Sequence, residues 1–404
     1  MSPNHCGLEP DRTRRDRLDI DDHRRRSRRR TFARTPPHEG ADAAPALLLP
    51  SPKHGVIRRS RKEEIMPCLA QRPGSVRGRA LPGCLVLACA LTLSAAAARA
   101  DEPTRLRVNA FPQAKTLPLH AGIAKGIFER RGFKIELQLT ENSRSQRDGL
   151  AAGTSDVVHS AVDNALAMVE IGKHDVVIVT GGDSGMNEFF VQGEVKSFAD
   201  MRGRTLVVDA PDTAYALQAK KILAQNGLKD GTDYTVKPVG AGVYRFKAMV
   251  ESKDNAAAIL NLPFTVQAEQ LGMKSLGRTI DLLGPYQAGG VFVMRGWARD
   301  HAAVLERYIA AYVEALRWTR DPANRAENIA LLMEKLKISG KEAERTYDLL
   351  VDPAFGFTPD ARFDMERFNN ALALRAEIEG GKPAAPERYI DLGYYERALP
   401  RVGR

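Results

Sequence analysis

One order of elements occurs twice along this chain, and that duplication limits the fold more than any composition does. From Arg105 the text runs "RLRVNAF", "LPLHAGIAKGIFERRG", "FKIELQLT", "RSQRDGLAAG", "DVVHSA" and "VDNALAMVEIG". These read as strand, helix, strand, helix, strand, helix, with Gly132, Gly153 and Gly172 as stops. About a hundred residues later come "GRTLVVDA", "DTAYALQAKKILAQNG", "DYTVKPVG", "YRFKAMVESK", "NAAAILN" and "PFTVQAEQLG" in the same order. The match is one of pattern with little identity. Alternating strands and helices imply a mostly parallel sheet with helices on both faces. Two copies of such a unit predict two similar lobes, because a solenoid needs more copies at a shorter period. Ligands of open α/β sheets bind beyond the carboxyl ends of the strands, so two lobes facing each other with those ends would enclose a cleft.

Between the copies stands the strand-like "DVVIVT". After the second copy "GPYQAGGVFVMR" reads as a glycine-rich link and a returning strand, and from there the chain is helical. "HAAVLERYIAAYVEALRWTRDP" has one apolar stripe and stops at Asp321-Pro322. "RAENIALLMEKLKIS", "GKEAERTYDLLVDP" and "ARFDMERFNNALALRAEIEGG" follow. This tail is expected to pack on the first lobe, to which the preceding strand returns. Connections near Met186–Val191 and Leu283–Val293 would then be two crossovers forming a hinge.

Charge and cysteine divide the chain at residue 100. Of 60 Lys+Arg and 50 Asp+Glu, 20 and 10 lie in residues 1–100, leaving 40 of each in 101–404. The net +10 therefore belongs to the first quarter, and the remainder has no bulk charge with which to bind nucleic acid. Cys6, Cys68, Cys84 and Cys89 all precede residue 101, which removes thiolate chemistry, disulfides and cysteine metal sites from the remainder. "RGRALPGCLVLACALTLSAAAARADEP" joins a basic flank, a short apolar run and the small-residue pattern Ala98-Arg99-Ala100. It reads as a signal peptide, residues 66–100, cut after Ala100. A membrane anchor is disfavoured by its short run, and a lipid-modified Cys89 is a weaker alternative. Residues 1–65 carry an Arg-rich run and Pro-rich "TPPHEGADAAPALLLPSP", expected to be a disordered extension, with Met66 the preferred start.

The stretches "PLHAGIAKGIFERRGFKIEL", "GLAAGTSDVVHSAVDNALAMV", "FADMRGRTLVVDAPDTAYALQAKKILAQNGL", "NLPFTVQAEQLG" and "ALRWTRDPANRAENIALL" resemble, in order and spacing, the periplasmic solute-binding proteins of ABC importers, in the NMT1/THI5-like and sulfonate/nitrate/taurine-binding group. The resemblance covers nearly all of residues 104–380. It implies a type II periplasmic-binding-protein fold, with two α/β lobes, a two-crossover hinge and a helical C-terminal tail on lobe one. Lobe one would open with residues 101–187, lobe two would span 188–283, and 284–404 would supply the return strand and the helices. It further implies a monomer in the periplasm that closes on a small molecule and passes it to a permease and its ATPase, with no cofactor and no enzymatic activity. Some relatives are thiamine-pyrimidine synthases with a cysteine-rich motif, which residues 101–404 lack.

Loops after the strands supply the candidate ligand contacts. In the first lobe these are Pro112, Gln113, Asn142, Ser143, Arg144, Ser160, Asp163 and Asn164. In the second they are Asp209, Thr213, Gly240, Tyr244, Asn261 and Phe264, with Tyr286 beyond them. Helix starts at Asp163/Asn164 and Thr213 offer free N–H groups, although Asp163 reads better as a cap. Arg144 is the basic candidate for an anion, and Tyr215, Tyr244, Phe264 and Tyr286 are candidate walls. "GGDSGM" lacks both the context of a serine nucleophile and a P-loop Gly-Lys, and reads as a glycine-rich loop into the first crossover, within reach of a ligand. The histidines at 120, 159, 174 and 301 have no metal-ligand spacing, and His159 reads as a packed strand residue. Two alternatives stay open. One is an enzyme on this fold acting on a pyrimidine or small acid, for which Lys115 and His120 are the nominees. The other is a binding protein that signals to a receptor.

Overall fold

The structure is a computed structural model, and it describes residues 102–403. The expected N-terminal extension, the expected signal peptide and its cut after Ala100 lie outside the described residues. The strands are β1 (Thr104–Ala110), β2 (Phe133–Leu139), β3 (Val157–Ala161), β4 (Val176–Thr180), β5 (Asn187–Val191), β6 (Thr205–Val208), β7 (Thr235–Pro238), β8 (Asn255–Asn261), β9 (Lys274–Arg278) and β10 (Gly289–Met294). They form two five-stranded sheets, ordered β2-β1-β3-β10-β4 and β7-β6-β8-β5-β9. In each, the first three strands run parallel and the fourth, β10 or β5, is antiparallel. The three repeated strands occupy equivalent places in the two sheets, β2-β1-β3 in one and β7-β6-β8 in the other.

The helices of the first copy are α1 (Leu117–Ala124), α2 (Ile127–Arg130), α3 (Ser143–Ala151) and α4 (Val162–Glu170). The second copy has α5 (Ala214–Gln225), α6 (Gly242–Glu251) and α7 (Phe264–Gln270), followed by the short α8 (Thr279–Leu283). The central strand β8 "NAAAILN" is buried from end to end, and so is β4 "VVIVT", an edge strand that the tail covers by bridging Ile390 to Ile178. The edge strands β2 and β7 keep exposed positions.

The first crossover differs from the expectation. Asn187–Val191 is strand β5, so the chain changes sheets at Gly181–Met186. Phe189, Phe190 and Val191 are fully buried, and their ladder with β8 holds that stretch extended in the second sheet. The second crossover also differs: it contains α8 and ends at Ala288, because Gly289–Val293 is held in β10 by its ladders with β3 and β4. The two touch where Ala288 and Gly289 donate their N–H groups to the Asp183 carbonyl, at 3.2 and 3.1 Å. Met186 at the end of the first crossover has φ of 41°, a strained value for a residue with a side chain.

The tail comprises α9 (Arg295–Asp300), α10 (Ala302–Arg320), α11 (Arg325–Leu336), α12 (Gly340–Leu350), α13 (Met365–Glu379) and α14 (Gly393–Ala398). Helix α10 buries Leu305, Tyr308, Ile309, Tyr312, Val313 and Leu316, an apolar stripe at helical spacing. Each such side chain contributes about 1.5–3 kcal/mol by leaving water. Tyr308 stacks on Phe128 at 5.8 Å and meets Phe133 edge-on at 6.2 Å, which seats α10 on the first lobe. The tail also reaches the second lobe, through α12 against α7 and an ion pair from Glu377 of α13 to Lys221 of α5.

Candidate functional site: a cavity between the lobes

Four helices of the repeats begin at the same place. Ser143 opens α3, Ala161 precedes α4, Thr213 precedes α5 and Ala241 precedes α6. Residues at all four starts line one compartment of about 30 Å3, with Phe111, Gln113, Asp209, Tyr215 and Arg245. A second compartment of about 50 Å3 lies toward the hinge, lined by Lys115, His159, Gly181, Asp183, Gly289, Tyr312 and Phe357. Both share Gln113, Ser160, Ala161 and Tyr215, so they are the halves of one interlobe cavity. Their size admits a few water centres, and what fits the closed form is small.

The lobes meet around this cavity through hydrogen bonds. Ser143 donates its N–H to Asp209 at 3.0 Å, and its hydroxyl donates to the same carboxylate. Ala241 N–H donates to the Glu141 carbonyl at 2.9 Å, and Ala114 N–H to the Leu262 carbonyl at 3.1 Å. Asn261 Nδ2 donates to Gln113 Oε1 at 2.6 Å, and Arg147 pairs with Asp212 at 2.9 Å. Gly240, at φ of 98°, lets the backbones approach, since a Cβ there would lie 3.0 Å from the Glu141 carbonyl. This is a closed arrangement of the two lobes.

Two buried cations define the electrostatics. Arg245 is 2% exposed, donates Nε to the Ile259 carbonyl at 3.1 Å and Nη1 to the Gly240 carbonyl at 3.0 Å, and lies over the Tyr215 ring at 5.3 Å. Burial lowers its pKa while Asp209 and Tyr215 oppose the shift, and a guanidinium so placed stays charged. Lys115 pairs with Asp183 at 2.8 Å and donates to the Gly185 carbonyl at 2.6 Å. Burial pulls Lys115 down, but Asp183 and Tyr215 outweigh it and its pKa is raised. On the same wall His159 is bonded to Tyr308 Oη at 2.7 Å and packs edge-on against Tyr312 at 4.5 Å. Burial holds it neutral, with its pKa lowered to about 3.

The residues expected from the loops divide into three sets. Gln113, Ser143, Ser160, Asn164, Asp209 and Thr213 line the cavity. Asn164 donates to Ser160 Oγ at 2.9 Å and Ser143 Oγ at 3.1 Å, tying α4 to α3. Asn261, fully buried, contacts the cavity through Gln113. Asn142, Arg144, Gly240 and Tyr244 line an open groove at the mouth; there Arg144 is exposed and Asn142 caps α3 by accepting from Ser145 N–H at 2.8 Å.

The third set lies off the cavity lining. Asp163 and Tyr286 face each other in the core, where the tyrosine hydroxyl donates to the carboxylate and Arg375 Nη1 donates to the Asp163 carbonyl at 3.3 Å. Burial raises the Asp163 pKa against the opposing charge of Arg375. Phe264 packs against Phe246 at 5.9 Å, and Pro112 is half-buried beside Gln113. Arg245 was not legible as a site residue: on a helix with lysines and glutamate it reads as a solvated face. The "GGDSGM" loop was expected near the ligand without Asp183 being singled out in it, and Tyr312 was missed within the α10 stripe.

Two lobes of parallel-antiparallel sheet, two crossovers and a polar cavity between facing helix starts define a periplasmic-binding-protein fold. The NMT1-like family model matches residues 99–333, more than half of the chain, and the chain belongs to that family. A solved structure from Bordetella bronchiseptica RB50 superposes with a TM-score of 0.65 at 20% identity, over 74% of this chain and 98% of that one. The periplasmic nitrate-binding protein NrtA from Synechocystis PCC 6803 gives 0.61 at 15% identity, over 74% and 89%. The periplasmic aliphatic sulphonate binding protein SsuA from Escherichia coli gives 0.56 at 18%, over 72% and 92%. At these identities the likeness is one of fold. No curated protein sequence matches the chain.

Proposed function

We propose that this chain is the solute-binding component of an ABC importer. It is exported by its signal peptide and cut after Ala100. It holds a small organic molecule, anionic or heteroaromatic, between its lobes and presents the closed form to a permease and its ATPase. The observation that carries this reading is the cavity itself: polar groups of both lobes converge on it, and cross-lobe hydrogen bonds close over it. A ligand touching both lobes favours the closed state by its differential affinity for it. The two crossovers are the segments that must bend.

The enzymatic alternative needs a nucleophile or base in the cleft. Lys115 is a protonated amine held by Asp183, which leaves no lone pair for attack. His120 lies outside the cavity lining, and burial together with the Lys335 charge lowers its pKa to about 4. Titration calorimetry combined with product analysis tests the reading. Heat saturating at one equivalent with the ligand recovered intact supports a binding protein; conversion of the ligand by catalytic amounts of protein overturns it.

A further inference from the structure

The cavity has two unmet hydrogen-bonding demands, at opposite ends and of opposite sense. At one end Arg245 has Nε and Nη1 engaged by carbonyls, while Nη2 has no partner among the described residues. Asp209 shares that compartment, but its carboxylate is taken by Ser143, and no ion pair joins it to Arg245. Four helix N-termini add positive potential around the same space. What is missing there is an acceptor for Nη2, and the converging helix starts favour an anionic one.

At the other end Asp183 is 5% exposed. Its Oδ1 accepts from Lys115 Nζ at 2.8 Å and from Gly185 N–H at 2.9 Å, while Oδ2 has no donor among the described residues. Gly289 keeps the space beside Oδ2 clear, because a Cβ on it would lie 2.2 Å from that oxygen. What is missing here is a donor. Lys115 already neutralises Asp183, so an ammonium brought to Oδ2 would meet like charge, whereas a hydroxyl or an uncharged N–H would not. Between the ends Tyr215 lines both compartments, and Tyr312 and Phe357 flank the hinge end.

We propose that the cavity selects a two-ended ligand: a carboxylate, sulfonate or similar oxyanion seated on Arg245 Nη2, bearing a neutral hydrogen-bond donor that binds Asp183 Oδ2. This rests on the binding-protein reading and narrows it. Simple inorganic oxyanions and unsubstituted alkyl or aryl acids satisfy only one end. Zwitterions satisfy both, but against Lys115.

The test is titration calorimetry with matched probes: benzoate, 4-hydroxybenzoate and 4-(aminomethyl)benzoate; butyrate, 4-hydroxybutyrate and 4-aminobutyrate; and nitrate. In at least one series the hydroxy acid binds roughly tenfold or more tighter than its unsubstituted partner, as expected for a hydrogen bond to a charged group, and tighter than its ammonium counterpart. In Asp183→Asn, Lys115 and Gly185 N–H hold the amide oxygen, which turns its NH2 toward the cavity, and the hydroxy-acid preference collapses. The wild-type series stands alone if that variant does not fold. Equal or tighter binding of the unsubstituted acid or the ammonium acid in both series, or of nitrate than of every hydroxy acid, overturns the proposal, as does failure of every probe to bind. Mass spectrometry of any small molecule released on denaturing the isolated protein separates the two failures. A released molecule without an anionic group or without a neutral donor leaves the binding-protein reading standing and overturns this one.

Discussion

The backbone N–H of Ser143, at the first turn of α3, and the carboxylate of Asp209, beyond the end of β6, are joined across the two lobes at 3.0 Å. Ser143 is buried and belongs to the first lobe; Asp209 is buried and belongs to the second. The bond satisfies a helix-start N–H that would otherwise lack a partner, and it exists only when the lobes are closed. Asp209→Ala should therefore cost the closed state about 1–2 kcal/mol. The check is small-angle scattering of ligand-free protein, where the variant is more expanded than wild type. Ser143→Ala, which removes only the hydroxyl contact, should have the smaller effect.

Arg245 connects stability to binding. Arg245→Met keeps the length of the side chain but leaves the Ile259 and Gly240 carbonyls without their donors. The expected loss of stability is about 1–3 kcal/mol, read from urea midpoints. Ligand affinity should fall at least roughly tenfold by calorimetry, because a charge-assisted bond is lost with it.

The Lys115–Asp183 pair is nearly sealed, with side-chain exposures of 9% and 7%. Removing one partner leaves a buried charge alone. Lys115→Met should destabilise the chain by about 3–5 kcal/mol, and the double variant with Asp183→Leu should recover part of that loss. A double-mutant cycle in denaturant measures it.

His159 gives a pH dependence whose sign follows from its burial. Its folded pKa is lowered from 6.5 to about 3, so between those values the unfolded chain binds the proton and the folded one does not. Stability from keeping this ring neutral is complete above 6.5 and is lost as pH falls from there toward 3, at up to about 1.4 kcal/mol per pH unit. Urea unfolding of wild type and His159→Phe at pH 7.5 and 5.0 isolates the contribution. Wild type should lose more stability than the variant over that interval.

Export makes a separate prediction. Intact-mass analysis of the periplasmic fraction should find a chain beginning at Asp101, and cytoplasmic protein with an unprocessed N-terminus would contradict it.

Much of this fold was readable because apolar periodicity reports burial, and burial here follows the sheets. "VVIVT" and "NAAAILN" are buried on both faces and read as strands at once. β5 and β9 escaped the reading. "NEFFV" is short and opens on two polar residues, and "KSLGR" carries Gly277 and charges at both ends; pairing with neighbours makes them strands. The site was less legible. Loop position pointed to Ser143, Ser160 and Asp209, and these residues line the cavity, because the strand ends face it. It offered Arg144 as the basic residue, yet one position along α3 separates the buried Ser143 from an exposed side chain. Arg245 is buried by tertiary contacts, two carbonyls and a tyrosine ring, that no local pattern encodes.

The most direct test of the account is the distance between the lobes. Residues 101–404 contain no cysteine, so spin labels at Asp148→Cys on α3 and Lys247→Cys on α6, both exposed, report on closure without background. Pulsed dipolar spectroscopy on protein freed of bound small molecules should show a longer or broader distribution. Addition of any probe that titrates at one equivalent should collapse it to one short distance. A single distance that the same saturating probe leaves unchanged would contradict a protein that works by closing on its cargo.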